Sequence, residues 1–191
     1  SDLGRIGLPT AISFAKSGLT TIGVDINEEL VSQISKKDFP LKDEPGYQQI
    51  FDEVIGNGKF YATTNIEEAV SNSQIILLSL PTPMDQNNVP DYTALRTVGK
   101  QLKNLIKSGT IIIVESTIEP GFMENEFIHF IENDENQIIV GKNIGIGVCP
   151  ETANPGEIMK DFEKLPRLVG ATDEKTTQII TKIYEHVFPV E

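Results

Sequence analysis

The 191-residue sequence predicts an α/β fold built on an open, doubly wound and mostly parallel sheet. Segments with apolar residues at helical spacing alternate along the chain with short, continuous apolar runs. This alternation favours parallel pairing, because the crossover between two parallel strands usually carries a helix. One domain over residues 1–191 is expected, since this length and an apolar content of 39% suffice for a single core.

The first third of the chain predicts three helices and two strands. The first helix begins almost at the first residue, and Gly18 ends it. Asn27 is a predicted helix cap, because its side chain can accept backbone N–H bonds and two glutamates follow it in the first turn. The further segments are a strand at 20–26, a loop at 37–46, a helix at 47–55 and a strand at 59–63.

The rest of the chain continues the pattern. The apolar run at 75–80 is typical of a strand that is buried on both faces. Gly145 and Gly147 share one face of a later strand, which predicts a close approach of backbone or ligand there. The further segments are strands at 110–115, 144–148 and 167–169, and helices at 91–109, 121–131 and 174–187.

Composition excludes several classes of partner. The formal net charge of −12 argues against nucleic acid, whose phosphates need a basic face, and no apolar run approaches the roughly 18 residues of a membrane span. A small anionic nucleotide remains possible, because a helix N-terminus can hold it locally. The single cysteine excludes an internal disulfide and suits a reducing, cytoplasmic compartment.

A glycine-containing loop leads directly into the first helix. In the dinucleotide-binding pattern G-x-G-x-x-G, Gly4 and Gly7 match the second and third glycines, and Asp2 takes the place of the first. Gly4 would let a pyrophosphate approach the backbone, and the amides of Arg5 and Ile6 would point at its phosphates. The alternative is an ordinary glycine turn before a helix.

Asp25 strengthens the nucleotide interpretation. It ends an apolar strand roughly 20 residues after the loop, where a ribose-binding carboxylate belongs. A carboxylate there accepts hydrogen bonds from both ribose hydroxyls and repels a 2′-phosphate, which favours NAD over NADP. The alternatives are a solvated strand end or a cap for the next helix.

A nucleotide-binding fold needs a central strand that feeds the glycine loop, and no strand is predicted before Leu3. Either the true start of the domain is absent, or Ser1 and Asp2 are not the native neighbours of Leu3. We therefore expect a Rossmann-like fold whose first strand is missing.

Small hydroxyls and carboxylates follow four of the predicted strands. In open α/β sheets ligands bind outside the carboxyl ends of the strands. We therefore expect Asp25, Thr82, Thr117 and Glu151 to lie along one rim, with the turn from Gly4 to Gly7 facing the same groove. Any one of these residues, Thr82 for example, could instead be an ordinary turn residue.

The remaining nucleophilic and metal-binding residue types predict no site. Cys149 ends a buried strand with no histidine or lysine beside it in sequence, so we expect a small buried hydrophobe rather than a nucleophile. His129 and His186 lack metal-type spacing and are expected to be structural. No metal site is predicted.

Taken together, the motifs resemble the UDP-glucose/GDP-mannose dehydrogenase family. The matching stretches follow the family's order and spacing across nearly the whole chain, and they correspond to its N-terminal NAD-binding domain. The segment LPRLVGA looks most like the branch that oxidises UDP-N-acetylmannosamine. The matching stretches are LGRIGLPTA, GVDIN, DEPGY, ATTNIEEA, LPTP, ESTIEPG and CPETANPG.

The resemblance implies an NAD-dependent enzyme of polysaccharide precursor synthesis. Members oxidise the 6-hydroxyl of a nucleotide sugar twice to a uronic acid, through a thioester on a cysteine. That cysteine and the UDP-sugar domain would lie beyond residue 191, so this chain alone is expected to be inactive and the whole enzyme to be a homo-oligomer. The alternatives are a β-hydroxyacid-type dehydrogenase and a non-enzymatic nucleotide-binding module.

The resemblance also implies roles for individual residues. Thr117 would lie near the nicotinamide and the hydrolytic water, and Glu151 would position that water or accept a proton. Thr152 stands where the family usually has arginine, and Asp2 stands where it has glycine. The implied cofactor-binding residues are Gly4, Arg5, Ile6, Gly7, Asp25, Pro81, Thr82 and Thr117.

Overall fold

The computed structural model describes residues 3–133 and 135–188. The strands are Thr21–Val24 (β1), Phe60–Thr63 (β2), Ile75–Leu78 (β3), Ile111–Val114 (β4), Gly145–Val148 (β5) and Gly170–Ala171 (β6). The α-helices are Gly7–Lys16 (α1), Glu28–Ser35 (α2), Tyr47–Gly56 (α3), Ile66–Ser71 (α4), Thr93–Leu102 (α5), Ile128–Ile131 (α6), Ile158–Lys164 (α7) and Glu174–Val187 (α8), and a π-helical turn, Met123–Phe127, leads into α6.

The strands form two mostly parallel ladders, as predicted. β1 pairs with β2 in parallel, and β3, β4 and β5 pair in parallel in that order, with β6 antiparallel to β5. Among residues 3–133 and 135–188 the two ladders are separate sheets, one of β1 and β2 and the other of β3 to β6. The missing first strand stays a prediction, because it concerns the chain before Leu3, outside the described residues.

The chain divides into two compact units by its contacts. Unit 1 comprises residues 3–69, 152–167 and 181–188, and it contains β1, β2, α1, α2, α3 and α7. Unit 2 comprises residues 70–133, 135–151 and 168–180, and it contains β3 to β6, α5 and α6.

The core of unit 1 holds the start of the chain against β1. Leu8 and Ile12 of α1 are fully buried, and so is Leu3 of the glycine loop. A Cβ atom on Gly23 would lie 2.7 Å from a methyl group of Leu3, so only glycine leaves room for the loop here. The sequence thereby fixes where the glycine loop meets the sheet.

The core of unit 2 is the apolar strand β4 and its neighbours. Ile112, Ile113 and Val114 are fully buried, as the continuous apolar run predicts. The predicted close approach at β5 is confirmed and is made by protein, because a Cβ atom on Gly147 would lie 2.7 Å from the carbonyl oxygen of Gly170 in β6. Residues 75–77 of β3 are only half-buried, contrary to the prediction of a strand covered on both faces.

Most predicted elements are present, with differences at four places. The short helices α4 and α7 were not predicted, and α5 ends at Leu102 instead of continuing to Gly109. The strand predicted at 167–169 is wrong, because β6 lies at Gly170–Ala171 and Arg167 instead stacks over aromatic rings. Within the described part of the chain, no helix combines the length and apolar character that a membrane crossing requires.

Candidate functional site

The glycine loop of unit 1 leads into α1 without a side-chain cap. Ile6 is the N-cap residue of α1 and its side chain makes no capping hydrogen bond, and Gly7 is buried at the first helical position. Amides at an uncapped helix start are unsatisfied donors that attract anions. Asp2, which replaces the first glycine of the pattern, lies outside the described residues.

Asp25 is bonded directly to the glycine loop. Its carboxylate is buried, with Oδ2 accepting a hydrogen bond from the Leu3 amide at 2.7 Å and Oδ1 accepting one from the Asn27 amide at 2.8 Å. The two oxygens of a carboxylate offer about four lone-pair sites, so these two bonds leave acceptor capacity. Asn27 caps α2 as predicted, accepting from Glu29 and Leu30, so Asp25 is not the cap of that helix.

An exposed apolar side chain follows Asp25. Ile26 is 96% exposed, although it lies only two residues after β1, whose own residues are buried or half-buried. Sequence analysis did not single it out, because an isoleucine at a strand end normally predicts core. It lies next to Asp25 in sequence, the carboxylate predicted to bind ribose.

The side chain of Arg5 forms an ion-pair cluster with the DEPGY segment. Its Nη2 lies 2.6 Å from Oδ2 of Asp43, and its Nη1 lies 3.5 Å from Oε1 of Glu44. The hydrogen bond to Asp43 raises the pKa of Arg5, and the same bond lowers the pKa of Asp43. Sequence analysis assigned a role to the backbone of Arg5 and did not foresee this cluster.

Glu44 is a buried carboxylate that ties two loops of unit 1 together. Its side chain is fully buried, and Oε1 accepts a hydrogen bond from the Gly156 amide at 2.7 Å, whereas Oε2 has no hydrogen-bond partner among the described residues. Asp161 holds the same turn from its other side by accepting from the amide of Asn154 at 2.9 Å. Sequence analysis placed Glu44 in the DEPGY stretch that matches the family but assigned it no role, because glutamate in a loop is ordinarily exposed.

In unit 2 the ends of β3 and β4 meet as predicted. The hydroxyl of Thr82 donates to the carbonyl oxygen of Thr117 at 3.0 Å, which joins two of the candidate residues directly. Thr82 is half-buried, whereas Pro81 and Thr117 are exposed. Two of the predicted strand-end residues are therefore neighbours.

Hydroxyl groups fasten the same strand ends. Oγ of Ser116 accepts from the Leu80 amide at 2.9 Å and lies 2.8 Å from the Leu80 carbonyl oxygen, to which it can donate. The Ser79 hydroxyl donates to Oε2 of the buried Glu115 at 2.5 Å. These contacts fix the backbone that carries Thr82 and Thr117.

Glu151 belongs to the same group of strand ends in unit 2. It follows β5, and its amide donates to the carbonyl oxygen of Glu115 at 3.1 Å. Its side chain is half-buried. The ends of β3, β4 and β5 are thus joined by hydrogen bonds, and they carry the candidate residues Pro81 and Thr82, Thr117, and Glu151, respectively.

The remaining reactive residue types are one cysteine and two histidines. Cys149 is fully buried. His129 is exposed on α6, and Nε2 of the exposed His186 lies 3.2 Å from the carbonyl oxygen of Ser17. No group of three or more potential metal-ligating side chains occurs in residues 3–133 and 135–188.

The predicted single rim combines residues of both units. Gly4 to Gly7 and Asp25 belong to unit 1, whereas Thr82, Thr117 and Glu151 belong to unit 2. Each group is held together within its own unit, and the shared rim stays a prediction.

Known proteins resemble this chain in sequence and in fold. It is 32% identical to the UDP-N-acetyl-D-mannosamine dehydrogenase of Methanocaldococcus jannaschii over 186 residues, which are 96% of this chain and 40% of that protein. The structure of the corresponding Pyrococcus horikoshii dehydrogenase superposes with a TM-score of 0.91 at 29% identity, covering all of this chain and 44% of that one. The structure of a UDP-N-acetyl-mannosamine dehydrogenase from Staphylococcus aureus superposes with a TM-score of 0.90 at 31% identity, covering all of this chain and 45% of that one.

The chain therefore spans less than half the length of these relatives. The family model of the UDP-glucose/GDP-mannose dehydrogenase family, NAD binding domain, matches residues 2–188. This match confirms the family predicted from the motifs, which decides against the β-hydroxyacid-type alternative, and it confirms NAD as the cofactor of the domain type. The chain belongs to the UDP-glucose/GDP-mannose dehydrogenase family, and its residues 2–188 are the NAD-binding domain of that family.

Proposed function

We propose that this chain is the cofactor-binding part of an enzyme that oxidises the 6-hydroxyl of a UDP-sugar to a uronic acid for polysaccharide precursor synthesis. UDP-N-acetylmannosamine is the favoured substrate, because several similar proteins are named for that sugar. The enzyme would work in the cytoplasm, as the single cysteine of this chain and the nucleotide-sugar substrate suggest. It would be a homo-oligomer without nucleic-acid or membrane partners.

One contact carries the cofactor proposal: the hydrogen bond from the Leu3 amide to the Asp25 carboxylate. It joins the loop proposed to bind pyrophosphate to the residue proposed to bind the adenosine ribose. Asp25 keeps acceptor capacity for ribose hydroxyls, and α1 begins without a side-chain cap, so the residues present fit a dinucleotide. Ile26 would contact the adenine ring.

The residues of unit 2 would serve the reacting end. NAD⁺, when bound, accepts the hydride from the substrate carbon. Pro81 and Thr82 would contact the cofactor, and the bond from Thr82 would fix the backbone of Thr117. Thr117 and Glu151 would hold a water molecule, and the carboxylate of Glu151 would take up a proton.

Calorimetric titration with NAD⁺ and NADP⁺ tests the cofactor site. NAD⁺ should bind more tightly than NADP⁺, because the Asp25 carboxylate repels a 2′-phosphate. Asp25→Asn should reduce the preference, since the amide carries no charge. Equal affinities of the unaltered protein for both dinucleotides would contradict the ribose role of Asp25.

Turnover assays separate the enzyme proposal from the alternative of a non-enzymatic nucleotide-binding module. The purified chain with NAD⁺ and UDP-N-acetylmannosamine or UDP-glucose should form no NADH, because the resemblance places the nucleophilic cysteine outside it. A longer polypeptide that carries the chain and that cysteine should form two NADH per UDP-sugar. Dinucleotide binding without turnover in that longer polypeptide would favour the module.

A further inference from the structure

The guanidinium of Arg5 occupies an unusual place, on the glycine loop and against two carboxylates. We propose that Arg5 is a diphosphate-binding cation, and that Asp43 and Glu44 compete with the diphosphate of the dinucleotide for it. This inference rests on the proposed function and adds a side-chain role to a loop considered so far for its backbone. It makes cofactor affinity depend on the acid pair.

The geometry leaves Arg5 able to bind an anion. A guanidinium has five N–H donors, and the two ion-pair contacts are made by Nη1 and Nη2 with one acid each. The side chain is 51% exposed, so donors remain accessible. A guanidinium is not deprotonated in proteins, so the group is a permanent cation beside the loop.

Glu44 is fixed more firmly than the arginine. Oε1 of Glu44 lies 2.7 Å from the Gly156 nitrogen and 3.5 Å from Nη1 of Arg5, so its shorter contact is to the turn. The Glu44 side chain is fully buried and cannot follow Arg5 outward. An arriving diphosphate would therefore draw the guanidinium towards itself while Glu44 stays bonded to Gly156.

Charge balance gives the proposal its direction. The formal net charge of −12 opposes an anionic ligand, and the two acids exceed the single cation of the cluster by one negative charge. Neutralising an acid should therefore tighten diphosphate binding. If Asp43 and Glu44 only held the loop in shape, the same substitutions should weaken diphosphate binding.

Titrations with ADP, NAD⁺ and adenosine test this competition. Arg5→Ala should lower the affinity for ADP and for NAD⁺ about tenfold. The affinity for adenosine should stay unchanged, because adenosine has no phosphate. Asp43→Asn and Glu44→Gln should each raise the affinity for ADP about two- to fivefold. When Arg5→Ala is also present, the gain in affinity from Asp43→Asn should fall below about twofold. Arg96→Ala is the matched control, because it breaks the half-exposed ion pair between Arg96 and Glu126 in unit 2. It should leave the affinities for ADP, NAD⁺ and adenosine unchanged.

Each outcome bears on one of the two proposals. If the unaltered protein binds neither ADP nor NAD⁺, the proposed cofactor site fails. If it binds both, but Arg5→Ala binds ADP equally well or Asp43→Asn binds it less tightly, the competition is wrong and the cofactor site stands. Circular dichroism checks folding, and Arg5→Gln, which keeps most of the aliphatic stem, replaces Arg5→Ala should that variant unfold.

Discussion

The two units hold their candidate residues by different chemistry. In unit 1, carboxylates make most of these contacts. Asp25 accepts from the Leu3 amide, and Glu44 accepts from the Gly156 amide. Arg5 forms ion pairs with Asp43 and Glu44. In unit 2, the contact between Thr82 and Thr117 is a neutral hydroxyl-to-carbonyl bond. The contacts of unit 1 involve mainly carboxylates, whereas those of unit 2 involve mainly hydroxyl groups, one of which donates to the Glu115 carboxylate.

This difference predicts how strongly substitutions in each unit should destabilise the protein. A buried carboxylate that loses a partner leaves an uncompensated polar group, which is expensive. A neutral hydroxyl bond contributes only about 1 kcal/mol and is insensitive to salt. Unit 1 should therefore respond more strongly to single substitutions at its candidate loops than unit 2.

The largest effect is expected at Glu44. Glu44→Ala removes the acceptor of the Gly156 amide and leaves a cavity, so the free energy of unfolding should fall by about 3–5 kcal/mol. Urea denaturation measures it. Glu44→Gln keeps an oxygen for Gly156 and should cost clearly less, whereas equal losses in both variants would show that the hydrogen bond is unimportant.

The second largest loss of stability is expected at Asp25. Asp25→Asn keeps one oxygen but turns an NH₂ group towards either the Leu3 or the Asn27 amide, so one of these donors loses its acceptor. We expect a loss of about 1–3 kcal/mol in the free energy of unfolding. Hydrogen exchange at the Leu3 and Asn27 amides locates the lost bond, and unchanged protection at both would contradict the contact.

Ser116 tests the neutral side of the comparison. Ser116→Ala removes the acceptor of the Leu80 amide and should lower the free energy of unfolding by about 1 kcal/mol. The loss should be the same at low and high salt, because no ionised group takes part. Ser13→Ala is a suitable control, since that hydroxyl only donates to Pro9 within a helix and its removal should be nearly neutral.

Local signals explain why much of the fold was predictable. The cap at Asn27 and the apolar runs of β1 and β4 depend on neighbouring residues, so the sequence displays them directly. α7 was missed because its start at Ile158 follows a Pro-Gly turn without a capping side chain. β6 was misplaced because it has only two residues, and its strand structure depends on pairing with β5.

The candidate site was predictable to the extent that a local motif carries it. Gly4, Gly7 and Asp25 follow a spacing that reflects a nucleotide's shape, so they could be named without coordinates. Glu44 could not, because its partner Gly156 is 112 residues away and nothing near Glu44 in sequence predicts its burial. Arg5 was named for its amide, and only the structure shows the acids beside its side chain.

The smallest expected effect is the acid sensitivity of the exposed pair between Arg5 and Asp43. The hydrogen bond from Arg5 lowers the folded-state pKa of Asp43, so its stabilising contribution is present above the ordinary carboxyl pKa of about 3.9 and is lost as the pH falls through the lower folded value. The urea midpoints of the unaltered protein and Asp43→Asn should therefore differ slightly at pH 7 and converge below about pH 4. The difference at pH 7 should also shrink in high salt, because both side chains are more than half exposed and solvent ions screen them. A difference that does not shrink as the pH falls below about 4 would mean that the Asp43 side chain stabilises the loop by something other than its charge.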